Sequence, residues 1–369
     1  TANDGIITVS LSGNHPNFGF PGRGDGKAPY PWFTDALGKA DPYIDFSKYD
    51  TDADGHLSSK EFQVMFLVAG FETAAGYIPG IWAHAGCFPS YGRETFDGYH
   101  IGECAYQGYS TFGERQGNHD ATIGVIAHEL GHAIFCYPDL YDTSYNSSGI
   151  GVFGLMSHGA HSRKEGEYGG ATPVHLMAWS KYKSDGSWCY NWYGNTANYN
   201  GVVFELPDNI SSSTSSVTLY HSTHTNFNTK IINISGKTKE YFMLENIGHE
   251  GYQAGLDYII AGSDGFENEG RIDTSGIAIW HIDDNQSNNN DSTHKLVDLE
   301  EAADAGMDLP GSNPNSHSGK QTNLFFSDNK TEFSDSTDPN SKTYSGTSSG
   351  ITINNISARG DSMTFDITF

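Results

Sequence analysis

The sequence predicts an α+β protein, with a mixed first half to about residue 195 and an antiparallel, β-rich, sandwich-like half from 196 to 369. Three observations carry this. Helical and alternating apolar periods both occur in the first half. Short alternating segments separated by polar turns recur through the second. Of 369 residues 36% are hydrophobic and 13% aromatic, enough for a sizeable core and too much for a disordered chain.

In order along the chain, residues 31–40 read as a short helix stopped before Pro42. Residues 63–68 alternate and read as a strand, although Phe62, Met65, Phe66 and Ala69 also fit a helical stripe. Asp120 is the expected cap of a helix running to about Phe135, with Ile123, Ile126, Leu130 and Ile134 on one apolar face. Residues 173–182 form another expected helix, with Val174, Met177 and Ala178 turned inward. Strands are expected at 202–206, 216–221, 230–234, 240–245, 276–282, 295–299, 351–356 and 363–369, a spacing that suggests an antiparallel sandwich. Stretches 283–291 and 310–349, rich in Asn, Ser, Asp and Gly, read as long loops. No internal repeat is visible.

Lys and Arg number 20 against 45 Asp and Glu, a net charge of −25. That balance argues against nucleic-acid and anionic-membrane partners, which need a basic footprint. The longest nearly apolar run, 62–71, is too short to span a bilayer. A soluble monomer that does not insert into membranes is expected. The chain begins Thr-Ala-Asn-Asp, with no Met and no charged–apolar–small leader, and reads as a processed product. Four cysteines, Cys87, Cys104, Cys136 and Cys189, contain no C-x-x-C, so a thiolate zinc site is not expected. Their even number fits two disulfides, with three connectivities available. The expected pairs are Cys87–Cys104, across a hairpin-like segment, and Cys136–Cys189, which places the protein in an extracellular, oxidising compartment.

The chemistry is concentrated in H-E-x-x-H at residues 128–132. On a helix His128 and His132 lie one turn apart, so both imidazoles can reach one Zn2+, and Glu129 beside them can take a proton from water. The motif faces away from the isoleucine stripe. Pro138 then ends the helix, and Asp139 follows where a third ligand can swing back to the metal. Further on, Met156 sits in a Gly-flanked turn that resembles the Met-turn of the metzincins.

With these residues in place, HELGHAIFCYPDLYD, SSGIGVFGLMS and TPVHLMAWSKYK resemble the immune-inhibitor-A family of secreted bacterial zinc metallopeptidases. The likeness continues in EYFMLEN, SGIAIWHID, residues 294–309 and GITINNIS, and covers most of the chain from about Asp45. It implies a metzincin-like protease fold, with zinc ligands His128, His132 and Asp139, general base Glu129 and Met-turn residue Met156. The family commonly has H-E-x-x-H-x-x-G-x-x-D. Here the turn is one residue longer, and Phe135-Cys136 stand where the glycine is expected. A non-glycine residue at positive φ is costly, so a different turn is expected, held by a Cys136–Cys189 bridge. Asp142 and His158 are the alternative third ligands. In some metzincins a tyrosine stabilises the oxyanion two residues after the Met, and His158 occupies that place. His281, a lone strand histidine, reads as structural.

Residues 50–61 match the twelve-residue EF-hand loop: Asp50, Asp52 and Asp54 at positions 1, 3 and 5, Gly55 at 6, an apolar Leu57 at 8 and Glu61 at 12. His56 would lend its backbone carbonyl and Ser58 a water-mediated contact. A lone loop of this kind reads as a structural Ca2+ staple. Asp283, Asp284, Asn288 and Asp291 are a weaker second candidate. The function expected from all of this is a secreted zinc endopeptidase acting on protein and peptide substrates. The rival readings are a calcium-dependent, non-catalytic binding or adhesion module on a protease fold, and a zinc hydrolase of another amide.

Overall fold

A computed structural model describes residues 5–18, 29–73, 79–88, 94–103, 108–184, 203–256, 274–309 and 319–369. It is a mixed α/β protein with few helices and several sheets. By compactness the chain divides into Thr1–Tyr137 with Ser184–Val202, and Pro138–Lys183 with Val203–Phe369. Residues 138–183 therefore fold with the β-rich strands.

The first unit opens with helix α1 (Tyr30–Ala40), which passes into a 3-10 turn, Asp41–Tyr43, at Pro42. Strands β1 (Val64–Glu72), β2 (Gly80–Ile81), β3 (His84–Gly86), β4 (Tyr109–Gln116) and β5 (His119–Asp120) form one sheet, followed by helix α2 (Ile123–Phe135). The strand order is β2-β1-β4-β3, with β5 also on β4. β1 runs parallel to β2 and β4, whereas β3 and β5 are antiparallel to β4. The alternating period of β1 prevails over the competing helical stripe. Its inner Phe66 stacks on Phe33 of α1, ring centroids 4.2 Å apart, in a core with Leu37, Phe46, Leu57 and Tyr109.

Two expectations about α2 are corrected. Asp120 does not cap it: Asp120 lies in β5, and the residue preceding the helix is Thr122, whose N–H and hydroxyl both donate to Gln116. Nor is the isoleucine stripe the buried face. The buried residues are Gly124, His128, Gly131 and His132, while Ile123 is 45% exposed. The helix packs against β3 and β4, and those distant partners choose its inner face.

The second unit holds α3 (Ala178–Tyr182), β6 (Asp208–Asn209), β7 (Thr214–Tyr220), β8 (Lys230–Asn233), β9 (Glu240–Ile247), β10 (Gly276–Asp283), β11 (Val297–Leu299), β12 (Thr352–Asn354) and β13 (Ser362–Thr368). They form two sheets, β11-β10-β9-β8-β6 and β12-β13-β7, antiparallel throughout except for β6 beside β8. Both sheets feed one core that includes Leu219, Phe242, Ile279, Ile353 and Phe365. The polar stretch read as a loop also contributes, because Phe325 bridges Ile277, Phe333 bridges Ile353, and both phenylalanines are buried.

Residues 203–206 form no strand, and the nearest one is β6. The helix expected over 173–182 is only α3: Val174 and Met177 are buried, but the helix begins where the Glu245 carboxylate accepts the Ala178 N–H at 2.9 Å. No helix among the described residues is long and apolar enough to cross a membrane.

Candidate metal centre

His128 and His132 stand on the buried face of α2. His132 Nδ1 bonds the Tyr137 carbonyl at 2.5 Å, which makes Nδ1 the protonated nitrogen and Nε2 the nitrogen that carries the lone pair. That Nε2 lies 3.1 Å from His128 Nε2, with the two rings at 89°. The helix ends at Cys136, whose φ of 60° is left-handed. Its N–H donates to the His132 carbonyl at 3.0 Å, and the Tyr137 N–H to Gly131 at 3.3 Å. The Cys136-to-His132 bond is that of the αL helix ending, usually made with glycine. The expectation that a non-glycine residue would force another turn is therefore corrected. Cys136 adopts the left-handed conformation itself, at a cost of about 1–2 kcal/mol.

Past that turn come Pro138 and Asp139. His128, His132 and Asp139, all buried, each offer a ligand atom, and these atoms lie within 4.8 Å of one another. Neither alternative ligand joins them. Asp142 is committed to its own loop, accepting from the N–H and hydroxyl groups of Ser144 and Ser147 and from the Asn146 N–H. His158 opens a 3-10 turn, with its ring 5.7 Å from that of Tyr141. Glu129 follows His128 on α2, and its Oε2 accepts the Ala85 N–H of β3 at 2.8 Å. Met156 is buried, and its carbonyl accepts the Leu140 N–H at 2.8 Å, one residue beyond Asp139.

Strand β3 also packs on α2, and no motif marks it. His84 stacks on Trp82 at 5.3 Å and bonds the Tyr109 hydroxyl at 3.1 Å. Burial lowers its pKa, against the Trp82 carbonyl and the charge of Glu129, which raise it. Only the pairing of β3 with β4 brings these groups to α2, and residues 84–86 carry no local sign of it.

In the acidic loop, Asp50, Asp52 and Glu61 form the second group of close ligand atoms among the described residues. Gly55 has φ +84°, and Leu57 is buried in the core beneath. The carboxylates collect backbone amides: Asp50 those of Asp54 and Gly55, and Glu61 those of Thr51 and Ser58. Burial raises the Glu61 pKa, but the hydrogen bonds from Ser58 and Thr51 outweigh it and hold the group at about 2. Asp54 stands outside the group, accepting the His56 N–H at 2.8 Å, and the His56 ring lies 3.8 Å from Glu103.

The weaker acidic candidate does not converge. Asp283 holds Asn285 and His294, Asp284 holds Trp179, Lys183 and Tyr241, and Asp291 holds Thr293. His281 is buried between Glu240 and Glu300. Neither Cys87 nor Cys136 is a free thiol, whereas Cys104 and Cys189, their expected partners, lie outside the described residues.

Residues 39–193 match the family described as immune inhibitor A peptidase M6, catalytic domain. The matched span contains α2, the Asp139 turn, Met156 and the acidic loop. No curated protein matches the chain.

Proposed function

We propose that this chain, which belongs to the immune inhibitor A peptidases, is a zinc-dependent endopeptidase with a metzincin-like catalytic domain. One observation carries the reading: two imidazoles and a carboxylate, all buried, converge beside a glutamate on the same helix. Two nitrogens on one tetrahedral zinc stand roughly 3.3 Å apart, and the Nε2 atoms here stand at 3.1 Å. His128, His132 and Asp139 would hold the ion. When bound it supplies Lewis acidity, polarising a scissile carbonyl and bringing the pKa of water to about 7. Glu129 accepts the proton of the attacking water and returns it to the leaving amine. The Ala85 N–H, bonded to Glu129, keeps the carboxylate oriented. Among the described residues strand β3 ends the sheet's order, and an extended peptide would pair along it. His158 is the oxyanion donor of this reading, and protein and peptide chains are the substrates.

The site is tested by cleavage of an unfolded protein with and without a zinc chelator, alongside metal analysis of Asp139→Asn. Chelation should stop cleavage, and the variant should lose zinc while remaining folded. Cleavage that survives chelation would falsify the zinc mechanism, and full zinc content in the variant would remove Asp139 from the ligand set.

We further assign the acidic loop to structural Ca2+, held by Asp50, Asp52 and Glu61. Leu57, locked in the core, makes the loop a staple for the chain entering β1. A secreted, monomeric, disulfide-bonded protein belongs to the same reading. Recovery of the native chain from cells in reduced, retained form would count against it.

A further inference from the structure

Resting on the proposed zinc centre, we propose that Asn289 and Lys295, far along the β-rich unit, are positioning residues for Asp139. Leu140 follows Asp139 and is wholly buried. Its N–H donates to the Met156 carbonyl at 2.8 Å, and its carbonyl accepts the Ile150 N–H at 3.0 Å and Asn289 Nδ2 at 2.8 Å. Asn289 is itself fully buried. Its second Nδ2 hydrogen goes to the Val297 carbonyl at 2.8 Å, and its Oδ1 accepts the Val297 N–H at 3.0 Å. The amide thus pairs with β11 as a strand neighbour would, and presents its remaining donor to the residue after the candidate ligand.

Gly149 presses on the same carbonyl. Its φ is +60°, and a Cβ there would stand 2.1 Å from the Leu140 oxygen. Lys295, 1% exposed, holds Gly149 by donating to its carbonyl at 3.1 Å, and its charge is met by Asp298 at 2.6 Å and by Asp308. Next to Asn289, Asn290 accepts the N–H and hydroxyl of Thr143 at 2.8 and 2.9 Å. Both backbone groups of Leu140 are therefore spoken for from three directions, which leaves Asp139 little freedom in the direction of its carboxylate. The stretch that composition suggested as a second cation loop instead holds the backbone that follows Asp139.

The test replaces Asn289 by Asp, a substitution of equal shape that removes both donors and sets a carboxylate against two carbonyls. Zinc affinity is read by competition with a chromophoric chelator, and ligand geometry by the d–d absorption of the Co2+-loaded protein. We expect a zinc Kd about 10–100-fold weaker, an altered Co2+ spectrum, and a lower kcat at little-changed KM. A folded Asn289→Asp protein with the wild-type Kd and Co2+ spectrum overturns the proposal. Should the variant not fold, hydrogen exchange on the wild type decides. Removing zinc should speed exchange of the Val297 amide, which bonds Asn289 and not the metal, and unchanged exchange there overturns the proposal equally. The two readings fail separately. If the wild-type chain binds no zinc, the metal centre itself is wrong. If Asp139→Asn weakens zinc and Asn289→Asp does not, only the positioning role falls.

Discussion

His281 ties the stability of the β-rich unit to pH. Burial in β10 lowers its pKa, but Glu240 at 3.2 Å and Glu300 at 3.0 Å, with the charge of Asp298, more than reverse this and carry it from 6.5 to about 9. Phe242 and Tyr344 pack against the ring, Lys237 shares Glu240, and His294 stacks on Tyr344. A folded pKa above the unfolded one means that the imidazolium's contribution is complete below pH 6.5 and is lost as pH rises through about 9. At about 1.4 kcal/mol per tenfold change in proton affinity, that interval is worth about 3 kcal/mol. Glu240, held at about 2 against its burial chiefly by His281, reports the same pair and is counted once. Its share disappears only as pH falls from 4.5 towards 2. The assay is urea unfolding followed by tryptophan fluorescence, at about pH 6 and about pH 9.5, for the wild type and His281→Gln. Burial and the neighbouring Asp308 raise Asp298 to about 7 and Glu301 to about 9, so these acids also weaken the fold as pH rises. Both proteins carry them, so the informative quantity is the difference. The wild type should lose about 3 kcal/mol more than the variant between the two pH values. Equal losses refute the charged His281.

Glu129→Gln should lower kcat/KM by about 10²–10⁴-fold with zinc content unchanged by metal analysis; a variant of near wild-type activity removes Glu129 as the base. Gly149→Ala forces a Cβ towards the Leu140 carbonyl at positive φ and should cost at least about 1–3 kcal/mol, seen as a lower Tm. An unchanged Tm contradicts the close approach. EGTA should lower the Tm of the wild type, by the equivalent of about 2.7 kcal/mol if calcium stood at a hundred times its Kd, and should leave Asp50→Ala unmoved. A wild-type Tm indifferent to EGTA ends the calcium assignment.

What the sequence disclosed follows from how far apart the cooperating residues are. His128, Glu129 and His132 share one helix, and Asp50, Asp52 and Glu61 share one loop, so spacing alone brings them together. Gly55 and Leu57 mark that loop for the same local reason. Strands β7 to β13 were legible as short segments between polar turns, although β9 and β10 are buried on both faces and do not alternate. The inner face of α2 was not, since the isoleucine period says only that a helix is amphipathic, and β3 and β4 decide which side is covered. The Cys136 turn departs from the expectation because positive φ is a preference of glycine and not its monopoly. A preference of about 1–2 kcal/mol yields to a helix end whose amides are both satisfied.

The support of Asp139 lies furthest from anything composition can show. Asn289 and Leu140 are 149 residues apart, and neither carries a motif. A run of Asn, Asp and Ser has the same composition whether it folds around a cation, lies in solvent, or feeds its amides to buried backbone. An asparagine side chain offers both a donor pair and an acceptor, which is what a buried carbonyl beside the N–H and carbonyl of Val297 requires. A carboxylate in the same place would serve a cation and repel that carbonyl. The amide at position 289, set among the acids of its loop, is therefore the residue that separates the two uses. It separates them only once Leu140 and Val297 are known to stand on either side of it.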